Sequence, residues 1–164
     1  NEGTRLYVSG KATALVRQLD GRGLLVRDLG GEIGRASAMK MVYASSTKGA
    51  FSLFAAVAVM AELTGLRDEI FAELAASQPH TMATIERMAP RIPLDAKRWI
   101  FEMDEIASTY DAYGMTAHFH QGAADIMRLA NKTPLASETR ETAQDNRALA
   151  DVLQLYVDAL RAEG

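Results

Sequence analysis

Cysteine is absent from the 164 residues, which excludes disulfides, zinc fingers and thiol nucleophiles. That absence fits a reducing compartment, and the cytoplasm is the expected location. Positive charge is not in excess either: 18 Lys and Arg stand against 21 Asp and Glu, for a net charge of −3. Phosphate neutralisation needs clustered Lys and Arg, and here they are spread thinly among acids, so no nucleic-acid partner is expected. A membrane span needs about 20 apolar residues. The most apolar stretch, Ala50 to Leu63, has 14 and runs on through Thr64 to Gly65, so it predicts a buried helix and no membrane partner. No basic segment followed by an apolar one opens the chain, so no signal peptide is expected. The dinucleotide fingerprint G-x-G-x-x-G is missing too. The chain starts at Asn1 rather than Met, and its opening residues read as the middle of a fold. A fragment or an excised domain is the expectation.

What is present is the composition of a soluble globular domain. Hydrophobic residues make up 48% and charged residues 24%, enough to build one proper core. The first thirty residues differ from the rest. Arg5 to Ser9 is rich in β-favouring residues between Gly3 and Gly10, and predicts a strand. Ala12 to Leu19 has helical spacing and stops at Asp20-Gly21-Arg22-Gly23, where glycines tolerate the positive φ of a helix C-terminus. Leu24 to Arg27 predicts a second strand. This β-α-β piece is too small to close a sheet alone, so it is expected to form the edge of a larger one.

From Gly34 onward the pattern is helical. Arg35 to Thr64 holds no Pro and one internal Gly, and predicts a single helix of about 45 Å. Its second half is apolar around most of its circumference, so burial on several sides is expected. Shorter helices are expected over Leu66–Ser77, Thr81–Met88, Leu94–Tyr113, Ala117–Asn131 and Thr142–Ala162, with a loop at Thr133-Pro134-Leu135. Met60, Met82, Met88, Met103, Met115, Met127 and Trp99 read as core residues.

The run Gly31-Glu32-Ile33-Gly34-Arg35-Ala36-Ser37-Ala38-Met39-Lys40 resembles the G-x-x-G-x-x-x-x-x-K element of the β-hydroxyacid dehydrogenases. In that superfamily, which includes 6-phosphogluconate dehydrogenase-like enzymes, the element leads from the nucleotide-binding domain into a long interdomain helix. Upstream, Gly3 to Gly10 resembles the family's late Rossmann strand, G-T-L-x-x-x-V-G-G. A 6-phosphogluconate dehydrogenase-like branch is similar in the run Lys40 to Gly49 and around Phe119 to Ala124. The resemblance implies a mainly α fold, with a long central helix wrapped by shorter helices after a β-α-β edge of a Rossmann domain. Residues 1–30 would end the nucleotide-binding domain, and residues 31–164 would form the substrate-binding and dimerisation domain. It also implies an NAD(P)-dependent dehydrogenase or reductase acting on a small hydroxy acid, with NAD or NADP held mainly by residues outside this chain. Two departures stand out. The family's Asn four residues after the lysine is Ala44 here, and the later Lys-Asp pair has no counterpart in Glu102-Met103-Asp104-Glu105.

On this reading Lys40 is the catalytic residue. Oxidising an alcohol by hydride transfer requires removal of the hydroxyl proton, and a lysine in a closing, partly apolar cleft can take it. Positive potential at a helix start favours an anionic substrate, and Lys48, two turns later, would reinforce it. The plain alternative is a surface lysine snorkelling from an amphipathic helix. Ser37, Tyr43 and Thr47 are candidate substrate contacts, with Tyr43 or Thr47 standing in for the lost Asn. The hydroxyls of Ser37 and Thr47 could equally bond their own helix carbonyls. Gly31 and Gly34 would let the cofactor approach the backbone, or serve only as a loop. Phe119 and His120 are candidate pocket residues, or a helix cap and packing. No third ligand joins His118 and His120, so no metal is expected.

Three functions remain open from the sequence. One is the helical half of an oxidoreductase with a small-molecule substrate. A second is a homodimerisation module built on a long apolar helix with too few residues to cover it. A third is an imine-reducing relative, which the lost Asn makes more credible.

Overall fold

The computed structural model describes residues 3–143 and 146–162. The chain divides into two compact units, one reaching Ala44 and the other beginning at Ser45. In the first unit, β1 (Thr4–Val8) and β2 (Leu24–Asp28) pair in parallel, from Thr4 opposite Leu24 to Val8 opposite Asp28. The crossover runs through α1 (Thr13–Val16) and a 3-10 turn, Arg17–Leu19, rather than one helix over residues 12–19. Asp20 ties the return together, its carboxylate accepting the Val26 N–H at 2.8 Å. Strands this short hold only when such side-chain bonds and the crossover support them.

α2 (Arg35–Thr64) is a single 30-residue helix, as its sequence predicts. Its N-terminus has no Ser, Thr, Asp or Asn beside it. Ser9, after β1, accepts the Ala36 N–H at 3.1 Å instead, so a residue 27 positions away serves one orphan donor. The other end is a Schellman motif. The Gly65 N–H (φ +70) reaches the Glu62 carbonyl at 3.1 Å, and the Leu66 N–H reaches that of Ala61 at 3.0 Å.

In the second unit, α3 (Arg67–Ser77) and α4 (Pro79–Met88) form one packed pair, and α5 (Ile92–Ala112) and α6 (His118–Lys132) form another. A 3-10 turn, Pro134–Ser137, and α7 (Leu149–Arg161) close onto them. Met82, Ile85 and Met88 of α4, Met103 and Ile106 of α5, Met127 of α6, and Val152, Leu153 and Tyr156 of α7 make the core. The Tyr156 hydroxyl, fully buried, donates to the Ala89 carbonyl at 3.0 Å, and burial pushes its pKa up.

Several expectations change. Pro79 opens α4 rather than preceding it, since a first-turn residue needs no N–H. The last helix starts at Leu149, not Thr142. Ahead of it, Thr139 and Thr142 bond each other's backbone and side chains, the Thr139 N–H donating to the Thr142 hydroxyl at 2.8 Å, which holds a turn there. Residues 144–145 of the expected helix lie outside the described residues. Met60 and Met115 are each 57% exposed and are not core. α2 buries one face in its second half, not several: Ser52, Ala55, Ala58, Val59 and Ala61 face inward while Leu53, Val57 and Met60 face out. The buried face is mostly small residues, which suit close approach of neighbouring backbone. By length and composition α2 is apolar enough to cross a membrane, with 39% of its most apolar window buried in the chain.

Candidate functional site

The residues expected at the catalytic end of α2 belong to the first unit. Ser37 and Lys40 are three positions apart on α2, and both are exposed. Lys40 is the sixth helical residue, past the first turn in which a helix terminus exerts most of its field. Its ammonium has no ion pair among the described residues. Tyr43 is 67% exposed and Ala44 is buried. The buried Ala44 leaves no polar side chain at that position, in keeping with the departure noted in the sequence.

Gly31 and Gly34 lie on the loop entering α2. A Cβ added to either would meet nothing within 4 Å, so these glycines form an open edge rather than a cradle. Only Gly34, at φ +96, needs to be glycine for its backbone. Asp28, at the end of β2, accepts the Gly30 N–H at 2.9 Å, and that bond holds its carboxyl below the usual range. The loop is therefore pinned at its start.

The second unit draws a different set together along the face of α2 from Ser45 to Ser52. Ser45 Oγ lies 2.7 Å from the hydroxyl of Tyr110 on α5. Lys48, half-buried, is paired with Glu102 of α5, which also receives Arg98 at 2.7 Å. Ser52, fully buried, donates back to the Lys48 carbonyl at 3.0 Å. Thr47 is half-buried beside them. Phe119 Cε1 of α6 is 3.9 Å from where a Gly49 Cβ would sit, ordinary contact distance. Serine, lysine, glycine and serine at 45, 48, 49 and 52 thus form one polar and small stripe of helical spacing.

His120 is the chemical centre of this cluster. Its ring lies 4.3 Å from that of Tyr110 and 5.6 Å from that of Phe119. It is 4% exposed, and burial lowers its pKa. The imidazole is therefore neutral near pH 7, able to donate from one nitrogen and accept at the other. Nδ1 is buried with no hydrogen-bond partner, an unspent capacity that native interiors seldom leave idle. Phe119 is 58% exposed, so it stands at the edge of the cluster with His120 behind it.

The structure thus brings Lys48, Phe119 and His120 into one cluster, with Thr47 on the same stretch of helix. Ser37, Lys40, Tyr43, Gly31 and Gly34 belong to the first unit, and neither glycine has a neighbour within 4 Å of an added Cβ. Ser45, Glu102 and Tyr110 belong to the cluster and were not singled out from the sequence as site residues. The signal for Ser45 was present, three residues before Lys48 on the same helix face. Among the described residues no group of three or more His, Asp or Glu could hold a metal ion.

Residues 61–130 match a family described as a domain of unknown function, DUF1932. That stretch runs from the last turn of α2 nearly to the end of α6. Among solved structures, the chain is similar to one described as a conserved hypothetical protein from Sinorhizobium meliloti 1021, at 20% identity and a TM-score of 0.76. The match covers 96% of this chain and 52% of that one. It shows a shared fold, and the chain spans about half the length of that structure. No curated protein matches.

Proposed function

We propose that the chain is the C-terminal substrate-binding, catalytic-lysine and dimerisation part of a cytoplasmic NAD(P)-dependent oxidoreductase acting on a small hydroxy acid or related substrate. The observation that carries this reading is the start of α2. A β-α-β unit leads through Gly31 and Gly34 into a 30-residue helix that presents an exposed Lys40. The fold shared with a structure about twice as long supports a further domain beside this one, and on this reading the dinucleotide would be bound mainly there. The matched domain over residues 61–130 falls where the helical substrate-side part of such an enzyme would lie.

NAD or NADP would supply the hydride acceptor, with the open edge at Gly31 and Gly34 leaving the backbone approachable. Lys40 is the group that exchanges a proton with the substrate hydroxyl as the carbonyl forms or is reduced. Ser37 and Tyr43 share its stretch of helix and orient the substrate. The test uses the protein containing both this chain and its nucleotide-binding domain, assayed for NAD- and NADP-dependent turnover of hydroxy acids and cyclic imines. Lys40→Ala should lower turnover of a hydroxy acid at least about a hundredfold. Turnover within a few-fold of wild type removes Lys40 from the mechanism. Failure of both nicotinamide cofactors to bind removes the enzyme class.

Dimerisation rests on its own observation, the outward face of α2. Leu53, Val57 and Met60, at 49%, 37% and 57% exposed, recur at helical spacing. Covering such a stripe with a second copy is the usual solution. Val57→Glu should convert a dimer to a monomer in light scattering while helix content is unchanged. A wild-type chain that is already monomeric at high micromolar concentration contradicts this part.

A further inference from the structure

A cavity of about 670 Å³ opens in the second unit, within the size range of small-ligand sites. Its wall includes Phe51 of α2 and Trp99 of α5, whose rings stack at 6.2 Å, with Met88 and Leu94 beside them. Trp99 is 7% exposed, and its Nε1–H is buried without an acceptor. A buried indole donor that meets no acceptor is a cost the fold does not recover from its own residues.

The other part of the wall is cationic. Arg87, Arg91, Arg140 and Arg147 face Glu86 and Asp95, four guanidinium groups against two carboxylates. Glu138, outside the wall, offsets one of them through Arg147, so the arginines still outnumber the carboxylates around the cavity on a chain of net charge −3. Asp95 is already engaged by Arg98 at 3.0 Å and Arg140 at 3.2 Å. Arg147 is held by Glu138 outside the cavity wall. Arg87, in the last turn of α4, has no ion pair among the described residues. Guanidinium groups bind carboxylate and phosphate oxygens in paired hydrogen bonds, and a concave site concentrates their field.

We propose that this cavity binds a small aromatic acid, with its acid group on the arginine side and its ring against Phe51 and Trp99. The flat apolar wall selects the ring, and the guanidinium groups select the anion. An inorganic anion leaves the aromatic wall uncovered, and a neutral aromatic compound leaves the guanidinium groups without an anion. The assignment does not depend on Lys40 being catalytic.

Trp99 is the single tryptophan, so its fluorescence reports the cavity alone. The full chain is titrated with 2-naphthoate, inorganic phosphate and 2-naphthalenemethanol, with calorimetry as a second readout. 2-Naphthoate should give a saturable change at one site per chain, and the other two should bind at least about tenfold more weakly. Arg87→Gln should weaken 2-naphthoate about tenfold without moving the melting temperature, because that exposed side chain holds no ion pair in the fold. Arg140→Gln is the second variant, and should weaken the same probe. Phosphate binding as tightly as 2-naphthoate overturns the aromatic half of the proposal. Equal binding of the neutral alcohol, or wild-type affinity in both arginine variants, overturns the anionic half. No saturable signal with 2-naphthoate overturns it altogether.

Discussion

Lys40 and Lys48 lie two turns apart on one helix, and their ammonium groups meet different surroundings. Lys40 is exposed in the first unit, with no ion pair among the described residues. Lys48 is half-buried in the second, against Glu102, with the Trp99 ring centroid 5.8 Å away. A half-buried lysine is held by a carboxylate because leaving the charge alone out of water is costly. An exposed one carries no such cost and needs no partner. The same residue type on the same helix is tied into the packing where neighbours enclose it, and left in solvent where they do not.

The largest effect that could break this contrast is the exchange of consequences between the two lysines. Lys40→Ala should cost at least about a hundredfold in turnover and leave the melting temperature within a degree or two. Lys48→Ala should do the reverse, lowering the melting temperature by several degrees and turnover much less. If Lys40→Ala melts early while Lys48→Ala stays stable and inactive, the roles are swapped and the site belongs to the second unit.

Next in size is the partner of Lys48. Glu102→Ala removes the carboxylate that pairs with Lys48 and takes Arg98 at 2.7 Å, leaving an ammonium that is 16% exposed. A fully buried pair broken this way costs 3–5 kcal/mol, and with both partners partly reached by water about 2 kcal/mol is expected. Urea unfolding of the full chain measures it. Because the stabilisation is electrostatic but sheltered, the loss should persist in about 0.5 M salt. A loss that vanishes there marks Lys48 as a surface lysine like Lys40.

How far the sequence foretold this contrast depends on the range of the interaction. The bounds of α2 were legible because Gly34 and Gly65 mark both ends, and the backbone at each has positive φ. The beginning of α7 was not, because a Thr139–Thr142 turn competes with helix over a stretch that looks helical in composition. Which face of α2 is covered was not legible either, since a helix apolar on all sides carries no moment to read; hence Met60 was misplaced. The same limit applied to the cluster. Lys48 and His120 could be picked out locally. Glu102 and Tyr110, 54 and 65 residues from their partners on α2, could not, because only the packing of α5 on that helix brings them there.

A smaller test sharpens the second unit's side of the comparison. Tyr110→Phe keeps the ring on His120 and removes the hydroxyl that lies 2.7 Å from Ser45 Oγ. A part-buried, neutral hydrogen bond of this kind contributes about 1 kcal/mol net. Ser45→Ala should cost about the same, and the double variant should cost little more than either alone, since both remove one interaction. Additive losses in the urea-unfolding cycle would mean that the two hydroxyls act separately and that the cluster is only packing.

The smallest effect is a slope rather than a step. Burial disfavours the His120 imidazolium, so its folded pKa lies below the unfolded value of about 6.5. Above that pH both states are neutral at this position, and its full contribution to stability is present. As the pH falls through about 6.5 the unfolded chain takes up the proton first, and stability declines toward the lowered folded value. His80 and His118 are exposed, and the comparison of wild type with His120→Gln isolates the buried ring from them. Unfolding free energies between about pH 7.5 and 5 should fall for wild type, and fall less steeply for His120→Gln. Parallel curves would show that His120 takes up its proton as readily folded as unfolded. Its unpartnered Nδ1 would then be open to water, and the enclosed character assigned to the second cluster would be lost at its centre.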